Sequence, residues 1–441
     1  MKITALAAAA SVWWCSGQAM AETTLTIGTV NNNDILTMQK LSKNFEASHP
    51  DIKLKWVVLE ENILRSRLTT DIATHGGQFD VMTIGLFEAP MWGAHKWLSS
   101  FDDAPASYDM PDLLQSVKDG LSYGGKTYAL PFYAESQMTF YRKDLFEKAG
   151  ISMPDQPTWA QMDQFAAKIN DPAHGIYGIC LRGKPGWGEN VGQIDPVANS
   201  YGARWFDMDW KPQLNTPAWK EALTTYAGLL QKYGPPGSSA DGYNENLALF
   251  TSGKCGMWVD ATVSASTLSD PKQSSVADKV AYAHAPFGKY NVGNHYLWAW
   301  ALAVPVSSKS QEAAKAFVYW ATSPEYIRLV AETNGVAAVP PGTRKSTYAN
   351  PAYVKAAPFA KLTEDAIATA DMAHPTVDPV PYQGISYVGI PEFQAIGGTV
   401  GQEFAAVIAG QKSVDEGLTA AQATTERMMR QAGYPKKAAT P

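Results

Sequence analysis

The side chains best suited to bind a ligand are tryptophans and tyrosines that stand beside short polar residues. They occur in three stretches: Trp187-Gly188-Glu189-Asn190, Trp258-Val259-Asp260 and Tyr296-Leu297-Trp298-Ala299-Trp300. Sugars and polyols have weakly apolar C–H faces edged by hydroxyl groups, so a flat ring can cover a face while carboxylates, amides and guanidinium groups bind the hydroxyls. For a single ring the hydrophobic core is the more frequent place, but a ring among Gly, Asp, Glu and Asn fits a core less well. These stretches therefore indicate a concave site for a polyhydroxyl ligand.

Motifs for catalysis and for metal binding are absent from the sequence. None of the seven histidines belongs to an H-E-x-x-H pair, and neither a G-x-S-x-G turn nor a phosphate-binding P-loop occurs. The glycine-rich run 397–401 lacks the preceding strand of a dinucleotide site and is interpreted as the start of the last long helix. Glu135 after Tyr133 and Asp260 after Trp258 leave a glycosidase open, since such enzymes use two carboxylates about 5 to 9.5 Å apart. The sequence otherwise predicts no catalytic residue, no metal site and no cofactor.

Composition excludes several classes of protein. The 441 residues include 36 Lys and Arg and 42 Asp and Glu, for a net charge of -6, and no basic run stands out, which argues against nucleic-acid binding. The charged fraction of 18% lies below the roughly 25% of an average globular protein. With 14 Trp, 20 Tyr and 15 Phe the chain is also too aromatic to be intrinsically disordered. The length allows two or three domains with full cores.

The first residues have the pattern of a secretory signal peptide. Lys2 precedes an apolar run over 3–14, and Ala19-Met20-Ala21 supplies an A-x-A cleavage triplet. A membrane span would need about 20 apolar residues, and the two tryptophans before Cys15 do not fit a lipoprotein signal. We therefore expect cleavage after Ala21 and export to the periplasm.

Two cysteines, Cys180 and Cys255, follow the predicted signal peptide. In an oxidising compartment an even pair can form a disulfide. The alternative is two buried thiols that act as small apolar side chains. Both cysteines lie at predicted strands, 176–181 and 256–259.

Strands alternate with helices in the first part of the chain. Apolar and β-branched patterning predicts strands at 25–30, 52–59 and 80–84, with helices at 35–45 and 65–74. Such alternation indicates a parallel α/β sheet, in which ligands bind beyond the carboxyl ends of the strands. The loops 31–34 and 85–88 occupy that place. Further helices are predicted at 158–169, 217–232, 310–321, 323–333 and 400–410. No segment of the sequence is long enough to be a flexible interdomain linker, so two domains would be interleaved.

Six segments, in order along the chain, resemble the extracellular solute-binding proteins of carbohydrate ABC importers of the maltodextrin-binding type (family 1). They are Phe79-Asp80-Val81-Met82, 125–136, 140–146, Phe250-Thr251-Ser252-Gly253-Lys254-Cys255-Gly256-Met257-Trp258, 298–305 and Ala321-Thr322-Ser323-Pro324-Glu325. The resemblance implies an α/β, two-lobe periplasmic binding protein fold (type II), with two interleaved α/β domains joined by crossover segments. After the signal peptide (1–21), lobe one would comprise 22–133 and 301–344, and lobe two 134–300 and 345–441. A monomer is expected.

The resemblance also implies positions for the ligand site. Glu135 stands where the family has a carboxylate at the hinge, Trp300 where it has a stacking ring, and Asp260 where a polar residue follows a lobe-two strand. Trp298 replaces a usual Gly, which would narrow the cleft and favour a small ligand. The predicted ligand-binding residues are Asn33, Asp34, Glu88, Tyr133, Glu135, Arg182, Trp187, Asn190, Trp258, Asp260, Trp298, Trp300, Gly335 and Tyr387.

Within the family, the segments 131–136, 180–190 and 258–263 look most like the polyol binders that serve importers of mannitol, sorbitol or arabitol. The implied function is capture of a small neutral sugar alcohol or sugar by hinge closure, followed by delivery to ABC permease subunits in the inner membrane. A disaccharide or a glycerol phosphate is the alternative cargo, with Arg182 and Arg344 as the candidate phosphate ligands. A receptor of the same fold without a permease also stays open. The alternative from another class is a secreted glycoside hydrolase that uses Glu135 and Asp260.

Overall fold

The computed structural model describes residues 22–435. The predicted signal peptide and its cleavage site after Ala21 lie outside the described residues. Over the described range, no helix has both the length and the apolar character needed to cross a membrane. The strands are β1 (Thr23–Val30), β2 (Ile52–Leu59), β3 (Val81–Ile84), β4 (Ser122–Tyr123), β5 (Lys126–Thr127), β6 (Leu130–Glu135), β7 (Gln137–Arg142), β8 (Met257–Ala261), β9 (Val280–His284) and β10 (Trp298–Ala303).

Helices account for most of the remaining regular structure. They are α1 (Asn33–Ser48), α2 (Glu61–Ala73), α3 (Glu88–Ala94), α4 (Gln115–Gly120), α5 (Lys143–Ala149), α6 (Trp159–Ile169), α7 (Gly192–Ser200), α8 (Pro217–Tyr233), α9 (Tyr243–Thr251), α10 (Ser264–Ser269), α11 (Gln311–Ala321), α12 (Pro324–Asn334), α13 (Lys345–Ala349), α14 (Pro351–Ala356), α15 (Ala360–Thr369), α16 (Phe393–Ile408) and α17 (Val414–Gln431). A single π-helical turn, Trp187–Val191, precedes α7.

The larger sheet has five strands in the order β2-β1-β3-β10-β6. The strands β1, β2 and β3 are parallel, as their alternation with α1 and α2 predicts, whereas β10 runs antiparallel to both β3 and β6. Asn32 begins α1, because its side-chain oxygen accepts a hydrogen bond from the amide of Ile35 (2.9 Å). The carboxyl ends of β1 and β2 therefore meet at one edge of the sheet, next to the amino ends of α1 and α2.

The smaller sheet has three antiparallel strands in the order β8-β7-β9. Cys180 and Cys255 form a disulfide beside it, with their Cα atoms 5.9 Å apart. The predicted strand at 176–181 is absent as a continuous strand, since it makes only isolated bridges: Ile176 to Asp171, Tyr177 to Cys255 and Cys180 to Trp258. This sheet packs on its own hydrophobic cluster, which includes Phe140, Phe250 and Trp258.

The chain passes from the larger sheet to the smaller one between β6 and β7, over the single residue Ser136. The predicted lobe boundaries at 133/134 and 300/301 fall inside β6 and β10. Both strands pair with each other along their length, from Trp298 opposite Glu135 to Leu302 opposite Leu130. The division into lobe one (22–133 and 301–344) and lobe two (134–300 and 345–441) stays a prediction. The pairing of β6 with β10 shows that both strands continue across the predicted boundaries.

The glycine-rich run 397–401 lies within α16 and does not start a helix as predicted. A side chain at Gly397 would lie 2.7 Å from the Cβ of Trp187, so the helix can pack closely against the π-helical turn only with glycine there. The run therefore positions Trp187, and the predicted helix start at 400 is corrected to Phe393.

Candidate functional site

A cavity of about 430 Å³ lies between the two sheets. One side is formed by residues at the carboxyl ends of β1 and β2, and the other by Ala261 at the end of β8 and by the segment around 182–193. The strands β6 and β10 supply the wall between them. This volume falls in the range of about 300 to 1,000 Å³ that is usual for small-molecule sites.

Four side chains of β6 and β10 form one wall of the cavity. Trp298 pairs with Glu135 and Trp300 with Tyr133 in the antiparallel register. Alternate residues of a strand point to the same face, so all four side chains face the cavity, which each of them lines. The indoles of Trp298 and Trp300 lie edge to face, with ring centroids 5.6 Å apart. This wall presents a carboxylate and a phenol beside two rings.

Arg65 lies among three indole rings. Its guanidinium carbon is 4.0 Å from the ring centroid of Trp187, 4.7 Å from that of Trp300 and 5.1 Å from that of Trp298. Its nitrogens also bind Glu61 (2.8 Å) and Glu88. Burial alone would lower the pKa of Arg65, but the two carboxylates outweigh it and the pKa is raised. The Arg65 guanidinium is therefore a permanently charged hydrogen-bond donor that lies against the faces of three indoles.

A second guanidinium, that of Arg182, is fixed by Asp260. The two Asp260 oxygens accept bonds of 2.9 and 2.5 Å from Arg182 and also bonds from Trp258 Nε1 (3.0 Å) and the amide of Ala261 (2.7 Å). Asp260 is fully buried. Because it is occupied by these partners and lies behind Arg182, it cannot serve with Glu135 as an acid/base pair on a bound sugar.

Carboxyl groups with a raised pKa surround the cavity. Burial raises the pKa of Glu135 well above its ordinary range, opposed by Arg182 and reinforced by Asp260 and Asp34. Burial likewise raises the pKa of Glu189 to about 7, opposed by Arg182, and the pKa of Asp34 to about 7. Glu135 is 6% exposed, and its Oε2 has no hydrogen-bond partner among residues 22–435. Glu135 and Glu189 line the cavity, where they can bind a ligand's hydroxyl groups, whereas Asp34 lies outside its wall.

Polar contacts join the two sides of the cavity at its rim. Lys184 binds Glu60 (2.7 Å), which itself caps the start of α2 by accepting from the amides of Asn62 and Ile63. The side chain of Asn62 donates to the carbonyl of Pro185 (3.3 Å). These contacts describe a closed arrangement, in which a ligand inside the cavity would be shielded from bulk water.

Six of the predicted ligand-binding residues line the cavity: Tyr133, Glu135, Arg182, Trp187, Trp298 and Trp300. Four others lie behind it and support residues on the wall. Glu88 and Asp260 bind the two arginines, while Tyr387 packs against Trp187 and Trp298 with ring centroids 6.1 and 5.9 Å away. The side-chain amide of Asn190 donates to the carbonyls of Gly183 (3.1 Å) and Gly401 (2.8 Å), which fixes the π-helical turn.

The remaining predicted positions do not form the wall. Trp258 is a fully buried core residue, because it packs on Phe140 and Phe250. Gly335 ends α12, outside the cavity wall.

Two predicted positions on α1 also lie off the wall. Asn33 is exposed and donates to the hydroxyl of Thr267 (3.1 Å), and Asp34 is half-buried in the first turn of α1. Their neighbours Asn31 and Asn32 line the cavity instead. The candidate phosphate ligand Arg344 is fully buried and donates to the carbonyls of Tyr108 and Thr322, so it is structural.

Sequence reasoning missed several residues of the wall, above all Arg65. The others are Glu60, Glu61, Lys184, Gln193 and Tyr243. Asn31 and Asn32 lie in the loop 31–34, and Glu189 and Tyr296 in the aromatic stretches, that the sequence had already singled out. A signal for Glu60 and Glu61 was present: they follow the carboxyl end of β2, the same place that drew attention to 31–34 after β1. No sequence signal marks Arg65, because its role depends on three tryptophans from distant segments.

The sequence matches known proteins over most of its length. Residues 31–327 match the family of bacterial extracellular solute-binding proteins. Over 418 residues the chain is 58% identical to a mannitol-binding protein of Pseudomonas aeruginosa, a match that covers 95% of this chain and 96% of the relative.

Two solved structures are similar to more than nine tenths of the chain. An ABC transporter solute-binding protein from Agrobacterium vitis, with bound D-mannitol, has a TM-score of 0.93 and 57% identity over 94% of this chain and 100% of its own. A solute-binding protein from Agrobacterium radiobacter, in complex with ribitol, has a TM-score of 0.81 and 25% identity over 93% and 99% of the two chains.

Proposed function

The chain belongs to the family of bacterial extracellular solute-binding proteins, and on that basis we propose that it is the substrate-binding component of an ABC importer for a linear sugar alcohol. The main support for this proposal is the small cavity between the two sheets, where three indoles, two arginines and several carboxylates lie together. D-mannitol is the first choice of cargo, since relatives at 57 and 58% identity bind it. Sorbitol and arabitol are next.

The proposed mechanism is closure of two lobes around the ligand. A flexible polyol has a hydroxyl on every carbon, so it needs donors and acceptors from all sides at once. One set of ligand-binding groups comprises Arg65 and the tryptophans of β10. Arg182 and Glu189 form the second set on the other side of the cavity. Because only the closed form brings the two sets together, the ligand stabilises that form.

We further propose that the exported protein works as a monomer in the periplasm and delivers its cargo to the permease in the closed state. The family and the ABC transporter relatives support this role. An anionic cargo such as a glycerol phosphate is disfavoured, because both arginines of the wall already hold carboxylates. A glycoside hydrolase is disfavoured too, since Asp260 is buried behind Arg182 and the relatives are binding proteins.

Thermal unfolding in the presence of candidate ligands tests the proposal. Purified protein is mixed with D-mannitol, sorbitol, arabitol, maltose or glycerol 3-phosphate, and calorimetry gives each dissociation constant. At 100 times its dissociation constant a ligand adds about 2.7 kcal/mol to the free energy of unfolding. We expect this stabilisation from mannitol. Stabilisation by maltose or glycerol 3-phosphate, with none by any alditol, would overturn the proposal.

A further inference from the structure

Glu135 differs from the neighbouring carboxylates of the cavity wall. Glu60 pairs with Lys184, Glu61 with Arg65, and Glu189 with both Arg182 and Lys184. Glu135 is as deeply buried as Glu189 and more buried than Glu60 or Glu61, yet no cation within residues 22–435 forms a salt bridge with it, and its Oε2 accepts no hydrogen bond there. An unpaired carboxylate in a closed cavity is costly, so it requires either a proton or a positive partner.

The cations of the wall cannot supply that partner. Arg65 holds Glu61 and Glu88, Arg182 holds Asp260 and Glu189, and Lys184 holds Glu60. The wall as described carries five carboxylates against three cations: Glu60, Glu61, Glu135, Glu189 and Glu245 against Arg65, Arg182 and Lys184. A neutral alditol leaves this excess of negative charge uncompensated.

We propose that the cavity also binds amino alditols, sugar alcohols in which a terminal hydroxyl is replaced by a protonated amine, with the ammonium group at Glu135. This inference rests on the proposed alditol-binding function. The ammonium donates a charge-assisted hydrogen bond to Glu135, while the remaining hydroxyls keep the partners they have in an alditol. Tyr133 and Trp298, which flank Glu135 on the wall, offer aromatic faces that also favour a cation.

The same charge distribution discriminates against anionic cargo. An aldonate would place a carboxylate among carboxylates, with every cation of the described wall already paired. Burial raises the pKa of Glu135 well above its ordinary range, opposed by Arg182, and an ammonium group beside the carboxyl would favour its ionised form. The site thus accommodates neutral and cationic cargo of the same length and excludes the anion.

Calorimetric titration with three ligands of one stereochemistry tests this: D-mannitol, 1-amino-1-deoxy-D-mannitol and D-mannonate, at neutral pH and low salt. The amine is expected to bind about tenfold more tightly than mannitol, because charge-assisted hydrogen bonds are about twice as strong as neutral ones. Mannonate is expected to bind at least tenfold more weakly than mannitol. An amine that binds more weakly than mannitol overturns the inference. Failure of mannitol itself to bind overturns the proposed function instead.

Variants locate the ammonium site. Glu135→Gln should reduce the ratio of amine affinity to mannitol affinity by at least tenfold, whereas Glu135→Asp, which keeps the charge, should restore part of that preference. Glu312→Gln is the matched control, since it removes one negative charge from an exposed residue of α11 that does not line the cavity. It should change the ratio less than about threefold. An unchanged ratio in folded Glu135→Gln would place the ammonium elsewhere and overturn the assignment.

Discussion

At the scale of single residues, Arg65 organises one side of the site. It is 5% exposed and contacts three indoles while two carboxylates hold it in place. A guanidinium is planar, so it can stack on rings and donate along fixed directions, whereas a lysine ammonium can do neither. The Arg65 guanidinium is therefore a preorganised donor for the ligand and needs no loop movement to reach its position.

We predict that Arg65→Lys weakens alditol binding by at least tenfold. The ammonium would keep the charge but lose the stacking on Trp187 and the paired bonds to Glu61. Calorimetric titration gives the dissociation constant, and unliganded unfolding checks the fold. The control is Arg67→Lys on the exposed face of α2, which should bind as the natural protein does. Equal affinities in the two variants would show that the planar group at Arg65 is dispensable.

The raised pKa of Glu189 predicts that the free energy of unfolding depends on pH. Burial raises the pKa of its carboxyl from an ordinary 4.5 to about 7, opposed by Arg182. The folded protein therefore binds more protons than the unfolded chain between about pH 4.5 and 7, and the stability from this group is present at low pH and lost as the pH rises through that window. Glu189→Gln cannot ionise and removes this dependence.

Urea unfolding of the unliganded natural protein and of Glu189→Gln, at several pH values, measures the effect. The free energy of unfolding of the natural protein, relative to the variant, should fall by about 1 to 3 kcal/mol between pH 4.5 and pH 8. The difference between the two proteins cancels other titrating groups, including His295, whose pKa burial lowers to about 4. A difference that stays constant or rises with pH contradicts the assignment.

At the scale of elements, the antiparallel pair β6 and β10 builds the wall that bears Glu135 and Trp300. A shared face follows directly from the register, because alternate residues of each strand point the same way. Trp300 and Trp219 are both buried tryptophans, but only Trp300 lines the cavity, whereas Trp219 lies on α8 with its indole nitrogen bound to the carbonyl of Arg204.

We predict that Trp300→Ala abolishes the thermal stabilisation by mannitol. The change removes a ring face from the cavity and one of the three indoles around Arg65. Trp219→Ala is the control: it should lower the free energy of unfolding by about 3 to 5 kcal/mol but leave the affinity of the folded protein within about twofold. Retained binding in Trp300→Ala would assign that ring to the core alone.

The sequence predicted some elements well and others poorly, for identifiable reasons. Apolar and β-branched patterning predicted β1, β2 and β3 to within two residues at each end, because that pattern is contained within each strand. The pairing of β10 with β6 depends on segments more than 150 residues apart, so no local pattern indicated it. The same holds for the site. A ring beside Gly and Glu indicated Trp187, and the family resemblance singled out Trp298 and Trp300. The same local rule misplaced Trp258, whose ring packs on Phe140 and Phe250.

At the scale of the whole molecule, the two sides of the cavity touch through specific close contacts. Lys184 reaches Glu60 across the rim, and Asn244 donates to the carbonyl of Asn31 (3.3 Å). Such contacts exist only when the sides are together, so they favour closure, but most are partly exposed and each contributes little. The ligand, with its many hydroxyls, would then supply the larger part of the closing free energy.

A close approach between the two sides lies at Gly188. A Cβ at this position would be 1.9 Å from Glu61 Oε1, an atom that cannot easily move because it accepts two bonds from Arg65. Glu61 belongs to the start of α2 and Gly188 to the π-helical turn, so a side chain at Gly188 must either displace Glu61 from Arg65 or hold the two sides apart. We predict that Gly188→Ala weakens mannitol binding by at least tenfold and leaves the unliganded protein folded.

Small-angle X-ray scattering with and without mannitol reports the closure itself. The natural protein should show a smaller radius of gyration with the ligand, and Gly188→Ala should show little change at ligand concentrations that saturate the natural protein. Gly228→Ala in α8 is the matched control, since an added Cβ there meets no atom within 4 Å. It should close and bind normally. A Gly188→Ala protein that closes as tightly as the control would mean that the contact with Glu61 does not limit the approach, and that the ligand draws the two sides together through the arginines and the rings alone.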